Sequence, residues 1–240
     1  MNEKIYTIPV NDAFLEPCEC PLCAMYEKLE QDMLYFILEN SYMEDDIRKE
    51  TNEAGFCQKH YNDLMHADNR LGVALMLHTH MQKVQKDLQK LLKSQAPGVK
   101  KSLFGKQGQA ESPITIFAKN HDTSCYICNR IESTFKIYLD TFFYLWKKDE
   151  SFIIKVKNSQ GFCIQHFAQL YTFAPQKLST SELSDFFKIL LPLQEENFQR
   201  VVDDLGWYIT KFDYRYKDEP WKNSKDAVIR SIKKISSLKL

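Results

Sequence analysis

Two stretches of this chain repeat one pattern of cysteines and histidines. Cys20-Pro-Leu-Cys23 is followed, after 33 intervening residues, by Cys57 and His60 in Gly55-Phe56-Cys57-Gln58-Lys59-His60. Cys125-Tyr126-Ile127-Cys128 is followed, after 34, by Cys163 and His166 in Gly161-Phe162-Cys163-Ile164-Gln165-His166. Each half therefore reads C-x2-C, a spacer of nearly the same length, then G-F-C-x2-H, and six of the seven cysteines fall inside the pattern. The register extends further: Glu27 matches Glu132, Glu44-Asp45 matches Asp149-Glu150, and Leu64 matches Leu170. An internal duplication is the reading that a fold has to satisfy.

The residue types point to a metal. Zinc takes four ligands in a tetrahedron, and thiolate and imidazole are its usual donors. A C-x2-C turn, with Pro21 helping to fix it, aims two sulfurs at one point. Positions i and i+3 of a helix share a face, so Cys57 projects with His60 and Cys163 with His166. The positive end of a helix favours the thiolate at Cys57 and Cys163. The expected ligands are Cys20, Cys23, Cys57 and His60 for one Zn2+, and Cys125, Cys128, Cys163 and His166 for a second. Each site is expected to close within its own half, although an exchange of pairs between halves would use the same ligands. Such closed sites are structural, with no position left for substrate. Cys18 aligns with Thr123 and has no counterpart; it is either a buried thiol or a competitor of Cys20 for the metal.

Other readings explain less. Buried hydrophobic cysteines give no reason for the paired spacing. A thioredoxin-like redox pair lacks its βαβ context and leaves the C-x2-H steps idle. An iron–sulfur cluster is compatible with the donors. Haem attachment needs Cys-x-x-Cys-His, and neither pair is followed by His.

Composition sets the remaining bounds. Thirty-two basic and 32 acidic residues cancel, so no chain-wide field for nucleic acid or membrane is expected. No stretch approaches the roughly 18–20 apolar residues of a membrane span. The first residues lack the basic start and apolar run of a secretory signal, so a cytoplasmic location is expected. Disulfides are rare there, which strengthens the metal reading. Only 7 Gly and 8 Pro in 240 residues favour helices over a many-turned β architecture.

Apolar periodicity predicts helices over Ala24 to about Asn40, Phe56–His66 and Asn69 to about Lys93, with a short one opened by a capping box at Ser41-Tyr42-Met43-Glu44 and stopped by a left-handed Gly55. In the second half it predicts Tyr126–Lys148, Ser151–Asn158, Cys163–Thr172, Thr180–Leu191, Glu195 to about Lys211, and Ser224–Ser236. The apolar runs Ile5–Val10 and Ile114–Ala118 read as strands that pair with each other. The fold class is thus all-α with a minor two-stranded β element, in duplicated helical zinc-binding units. A first unit spans 1–94, a polar, Gly- and Lys-rich linker 95–112, and a second unit with a C-terminal helical extension 113–240.

Two further features bear on function. His78 and His80 sit two apart on a helix and cannot share a face. Trp207, Tyr208, Phe212, Tyr214, Tyr216 and Trp221 alternate with Lys211, Arg215, Lys217 and Lys222, a mixture that can stack bases and neutralise phosphates but also suits a helix packing its aromatics inward. No Gly-rich phosphate loop, G-x-S-x-G, HExxH or nucleophile–base pairing is present. The expected role is a non-enzymatic scaffold that binds a protein partner. The alternatives are nucleic-acid binding through the C-terminal basic and aromatic residues, or an enzyme with a site between the halves around His78, His80, Asp213 and Arg215.

The pattern resembles that of an uncharacterised bacterial family labelled only as a domain of unknown function. The resemblance is carried by Cys20-Pro-Leu-Cys23, Ser41-Tyr42-Met43-Glu44-Asp45-Asp46, Gly55-Phe56-Cys57 with His60, Leu75-Met76-Leu77-His78-Thr79-His80, and the run from Lys211 to Ser224. It implies a cytosolic bacterial protein without an assigned activity, and it carries over no catalytic residue.

Overall fold

The computed structural model describes residues 5–39, 41–94 and 111–236. Among them are eleven α-helices and no strand. The polypeptide forms two compact units, and neither is a contiguous half of the sequence. One comprises Met1–Leu29 with Ser133–Leu240, the other Glu30–Glu132. The division falls inside two long helices, α2 (Pro21–Glu39) and α7 (Tyr126–Lys148).

The first unit contains α1 (Thr7–Asp12), the start of α2, most of α7, α8 (Glu150–Asn158), α9 (Ile164–Lys177), α10 (Thr180–Thr210) and α11 (Ala227–Ser236). Phe135, Tyr138, Leu139, Phe142 and Trp146 recur at three- and four-residue steps along α7 and are all buried. Around Phe142 the rings meet edge to face: Phe142 and Phe152 at 5.3 Å between centroids, Phe14 and Phe152 at 5.1 Å, Trp146 and Phe186 at 4.8 Å. This is the geometry that aromatic quadrupoles prefer. Helix α10 packs on α8, α9 and α11.

The second unit contains the rest of α2, α3 (Asp45–Ala54), α4 (Gln58–Met65), α5 (Arg70–Ser94), α6 (Pro113–Thr123) and the first turns of α7. Its buried side chains include Ile37, Ile47, Phe56, Leu64, Met76, Ile127 and Ile131. Helix α5 packs on α3 and α4. The Asn69 side chain accepts from Gly72 N at 2.9 Å and donates to Leu38 O at 2.7 Å, so one amide caps the start of α5 and ties down the end of α2.

Several expectations need correction. Both predicted strands are helical, Ile5–Val10 falling largely in α1 and Ile114–Ala118 in α6. Short apolar runs do not distinguish the two states, and Ser112 resolves the second case by accepting from Thr115 N as N-cap with Pro113 at the first helical position. Ser41–Met43 is a 3-10 turn rather than a capping box, and Glu44 precedes α3 without a side-chain cap. The two helices expected on either side of Pro192 are one, α10, opened by a true capping box of Ser179 and Glu182. Burial of Leu190 and Leu193 offsets the ~3 kcal/mol that an interior proline costs. Gly55 ends α3 at positive φ as expected, but φ 61° with ψ −151° is an extended, glycine-only conformation rather than the left-handed helical one. Most of the expected linker, residues 95–110, lies outside the described residues.

Candidate metal centres

Each pair of ligand candidates stands at the start of a helix. Cys57 and Cys163 are the N-caps of α4 and α9, with nearly equal backbone angles (φ −73°, ψ 166° and φ −70°, ψ 163°). His60 and His166 follow in the first turn. The C-x2-C pairs are built alike. Cys20 O accepts from Ala24 N at 3.2 Å, and Cys125 O accepts from Asn129 N at 3.0 Å, the first helical bonds of α2 and α7. The expected cysteine turn is therefore a helix's opening turn, with Pro21 in the first position that tolerates it. All four pairs occupy the cap and third positions of a helix, where free backbone N–H groups and the helix dipole favour negative charge.

The G-F-C segment explains how such a pair is aimed. Gly55 and Gly161 both have positive φ, 61° and 73°, and the reversal sends the following Phe into a core. Phe56 packs edge to face on Tyr61 at 5.6 Å, and Phe162 on Phe14 at 6.3 Å. The backbone beside each motif is pinned as well. Tyr126 N donates to Gly55 O at 2.9 Å, while Gln194 accepts from Phe162 N at 3.0 Å and donates to Phe162 O at 2.9 Å.

Two quartets result, and they are crossed relative to the sequence expectation. Cys20 and Cys23 gather with Cys163 and His166; Cys57 and His60 gather with Cys125 and Cys128. Within each quartet the four donor atoms lie within 4.8 Å of one another. The expected closure inside each half is thus incorrect. Both halves carry the same two kinds of arm, so the arms themselves do not choose partners. Cys20, not Cys18, joins the first quartet. Burial pushes the Cys18 thiol up, against the backbone amide of Cys20, which lowers it.

The distances fit one tetrahedral ion per quartet. A zinc ion at ~2.3 Å from sulfur and ~2.0–2.1 Å from nitrogen would set S···S edges near 3.8 Å and S···N edges near 3.5 Å. Cys23 and Cys163 Sγ are 3.6 Å apart, Cys57 and Cys128 Sγ 3.8 Å. His166 Nδ1 is 3.4 Å from Cys20 Sγ and 3.2 Å from Cys23 and Cys163 Sγ. His60 Nδ1 is 3.2 Å from Cys57 and Cys125 Sγ and 3.4 Å from Cys128 Sγ. None of the seven cysteines is in a disulfide.

The thiols press on one another electrostatically. Hydrogen bonds from Cys20 and Cys23 hold Cys163 far below the ordinary thiol range. Burial and the bonds to Cys163 and Cys23 push Cys20 well up, and the bond to Cys163 takes Cys23 to about 12. In the other quartet Cys128 lowers Cys125 to about 3, while Cys125 in turn raises Cys128. Burial opposes protonation of His60, but Cys125 and Cys57 outweigh it and raise its pKa. In each quartet one thiol is lowered at a neighbour's expense, whereas a divalent cation would favour the charged form of all three sulfurs.

Side chains that the sequence did not single out hold the ligand-bearing loops. Lys234, 1% exposed, donates from α11 to Glu19 O at 2.7 Å and to Gln160 O, the carbonyls one residue before Cys20 and before Gly161. Its pKa is lowered by burial, partly offset by the Glu19 carboxylate at 3.2 Å. Arg200 joins the same cluster, donating to Glu19 Oε2 at 2.6 Å. A cavity of about 400 Å³ borders this quartet, lined in part by Cys18, Cys23, Glu27, Arg230 and Lys233. Behind the other quartet, His60 Nε2 lies 3.1 Å from Glu30 Oε1. A charged residue inside the apolar stripe of α2 was the signal for Glu30; Lys234 and Arg200 had none.

The remaining candidates fare differently. His80 is buried, donates from Nδ1 to Asn52 O at 2.7 Å and stacks on His121 at 5.4 Å, whereas His78 is exposed. His78 and His80 belong to one unit, Asp213 and Arg215 to the other. Asp213 accepts from Arg215 Nη2 at 2.6 Å, pairing the two within one turn. Lys211 is buried, with its ammonium on the carbonyls of Tyr216, Lys217 and Glu219 at the end of α10. Lys222 sits 3.7 Å over the Trp207 ring. Phe212 and Tyr214 are 73% and 82% exposed. No helix among the described residues is long and apolar enough to cross a membrane.

A family described only as of unknown function (DUF6062) matches residues 1–239. No curated protein and no solved structure matches the chain.

Proposed function

The chain belongs to the family of unknown function DUF6062, and we propose that it is a helical scaffold held by two structural zinc ions and that it presents a surface to a protein partner. The observation that carries this reading is the pair of closed Cys3His quartets, each with its donors at two helix N-termini and within 4.8 Å of one another. Three thiolates and an imidazole in a tetrahedron suit zinc among the common divalent ions. Edges of 3.6–3.8 Å between sulfurs leave room for one ion, not for a multi-iron cluster. With all four positions taken by protein, the ion would supply folding energy, on the order of 10 kcal/mol per site, rather than a reactive water.

Ile209, Phe212 and Tyr214, close in sequence and each more than 60% exposed, support partner binding by offering apolar side chains at the surface. Nucleic-acid binding draws less support from the same region, because Lys211 is spent inside the fold and Arg215 on Asp213. Elemental analysis of protein purified without chelator should find about two zinc ions per chain and no iron. Removing them with a strong chelator should abolish the cooperative thermal transition. Metal-free protein with unchanged helical content and melting temperature would refute the structural role.

A further inference from the structure

The two quartets share their donors but not what stands behind their histidines. Glu30 and Phe135 occupy equivalent positions in the duplication, each seven residues after the second cysteine of a C-x2-C pair. Glu30 lies 3.1 Å from His60 Nε2 and is only 5% exposed. Phe135 instead brings a ring to 5.3 Å from His166. We propose that Glu30 is a positioning residue for the Cys57–His60–Cys125–Cys128 centre and that it makes the two metal centres chemically unequal. This rests on the reading that the quartets bind metal.

The reasoning follows from what a ligating imidazole needs. His60 turns Nδ1 toward three sulfurs, so that nitrogen must carry the lone pair and Nε2 the proton. A carboxylate accepting from Nε2 fixes that tautomer, locks the ring's rotation and makes Nδ1 a stronger donor. An aromatic ring orients His166 by packing but accepts no proton from it with comparable strength. The burial of Glu30 is tolerable because Lys59 places its ammonium on the same carboxylate. Lys59 also answers a rival reading. Glu30, His60 and Asp63 could themselves form a small cation site, but the Lys59 ammonium contacts Glu30 and lies 3.5 Å from Asp63, so a cation of the protein's own already serves both carboxylates.

The test uses full-length, zinc-loaded protein and Glu30→Gln, which keeps the shape of the side chain and removes its charge. In competition with a chelator, the variant should hold one of its two ions roughly 10–100-fold more weakly and the other unchanged. Long-range proton–nitrogen NMR on the zinc-loaded wild type should show protonated Nε2 at His60 with a strongly deshielded proton, which moves upfield in Glu30→Gln while the His166 signals stay put. The wild-type spectrum alone decides the matter if the variant fails to fold, since a His60 Nε2 proton no more deshielded than that of His166 overturns the proposal. Equal release of both ions from variant and wild type overturns it too, and leaves the two-zinc reading standing. A lower melting temperature with unchanged zinc affinity would reduce Glu30 to a structural ion-pair partner of Lys59. A wild type that binds no zinc refutes both readings.

Discussion

The crossed grouping predicts metal counts that an uncrossed grouping would reverse. A structural zinc site contributes about 10–16 kcal/mol, and four donors sharing that equally give each about 2.5–4 kcal/mol. Cys20→Ser removes one thiolate, so it should weaken its centre roughly a hundred- to a thousand-fold. In a chelator-buffered solution set between the two affinities, that centre empties and the other stays filled. Cys20 shares its quartet with Cys163, so the double variant Cys20→Ser/Cys163→Ser should still hold about one ion per chain. Cys20→Ser/Cys57→Ser strikes both quartets and should hold none. Both doubles carry two serines, so a general loss of stability weighs on them alike, and circular dichroism reports the folded fraction of each. The assay is zinc per chain by atomic emission after equilibration. One ion in Cys20→Ser/Cys57→Ser and none in Cys20→Ser/Cys163→Ser would show that the arms close within each half.

The loops before the ligands offer two more tests. An alanine at Gly161 must accept positive φ with its nearest new contact at 3.3 Å, whereas a Cβ at Gly55 would stand 2.4 Å from His80 Nε2. Gly161→Ala should therefore cost about 1–2 kcal/mol and Gly55→Ala clearly more, roughly 3 kcal/mol or above, in urea unfolding; the reverse order would refute the fit of His80 against that turn. Lys234→Ala leaves the Glu19 and Gln160 carbonyls without their shared donor and should cost about 3–5 kcal/mol. Lys234→Met, which keeps most of the apolar stem, should cost less. A change below about 1 kcal/mol for the alanine would mean that Lys234 does not brace the two loops.

The donors and the principal helices were legible in the sequence because both follow local rules. A spacing of i to i+3 brings Cys57 to His60 whatever the rest of the chain does, and the stripe on Tyr126–Lys148 is long enough for its period to be unambiguous. Six-residue apolar runs such as Ile5–Val10 are too short for that, and a proline such as Pro192 marks a break only where packing does not outweigh it. Which arm meets which was not legible, since the two C-x2-C turns present identical donors and neither Cys57–His60 nor Cys163–His166 prefers one of them by spacing. The choice is read in long-range contacts that differ between the halves and that spacing does not announce: Phe162 against Phe14, Tyr126 N on Gly55 O, Lys234 between Glu19 and Gln160. Crossing also decides what diverges. Once the first C-x2-C helix serves one quartet with its cysteines and the other with Glu30, a substitution at that helix's seventh step past Cys23 alters the environment of His60 without touching Cys20 or Cys23. The duplicated first turns can then stay alike while the groups behind the two histidines drift apart, a carboxylate at Glu30 and a ring at Phe135.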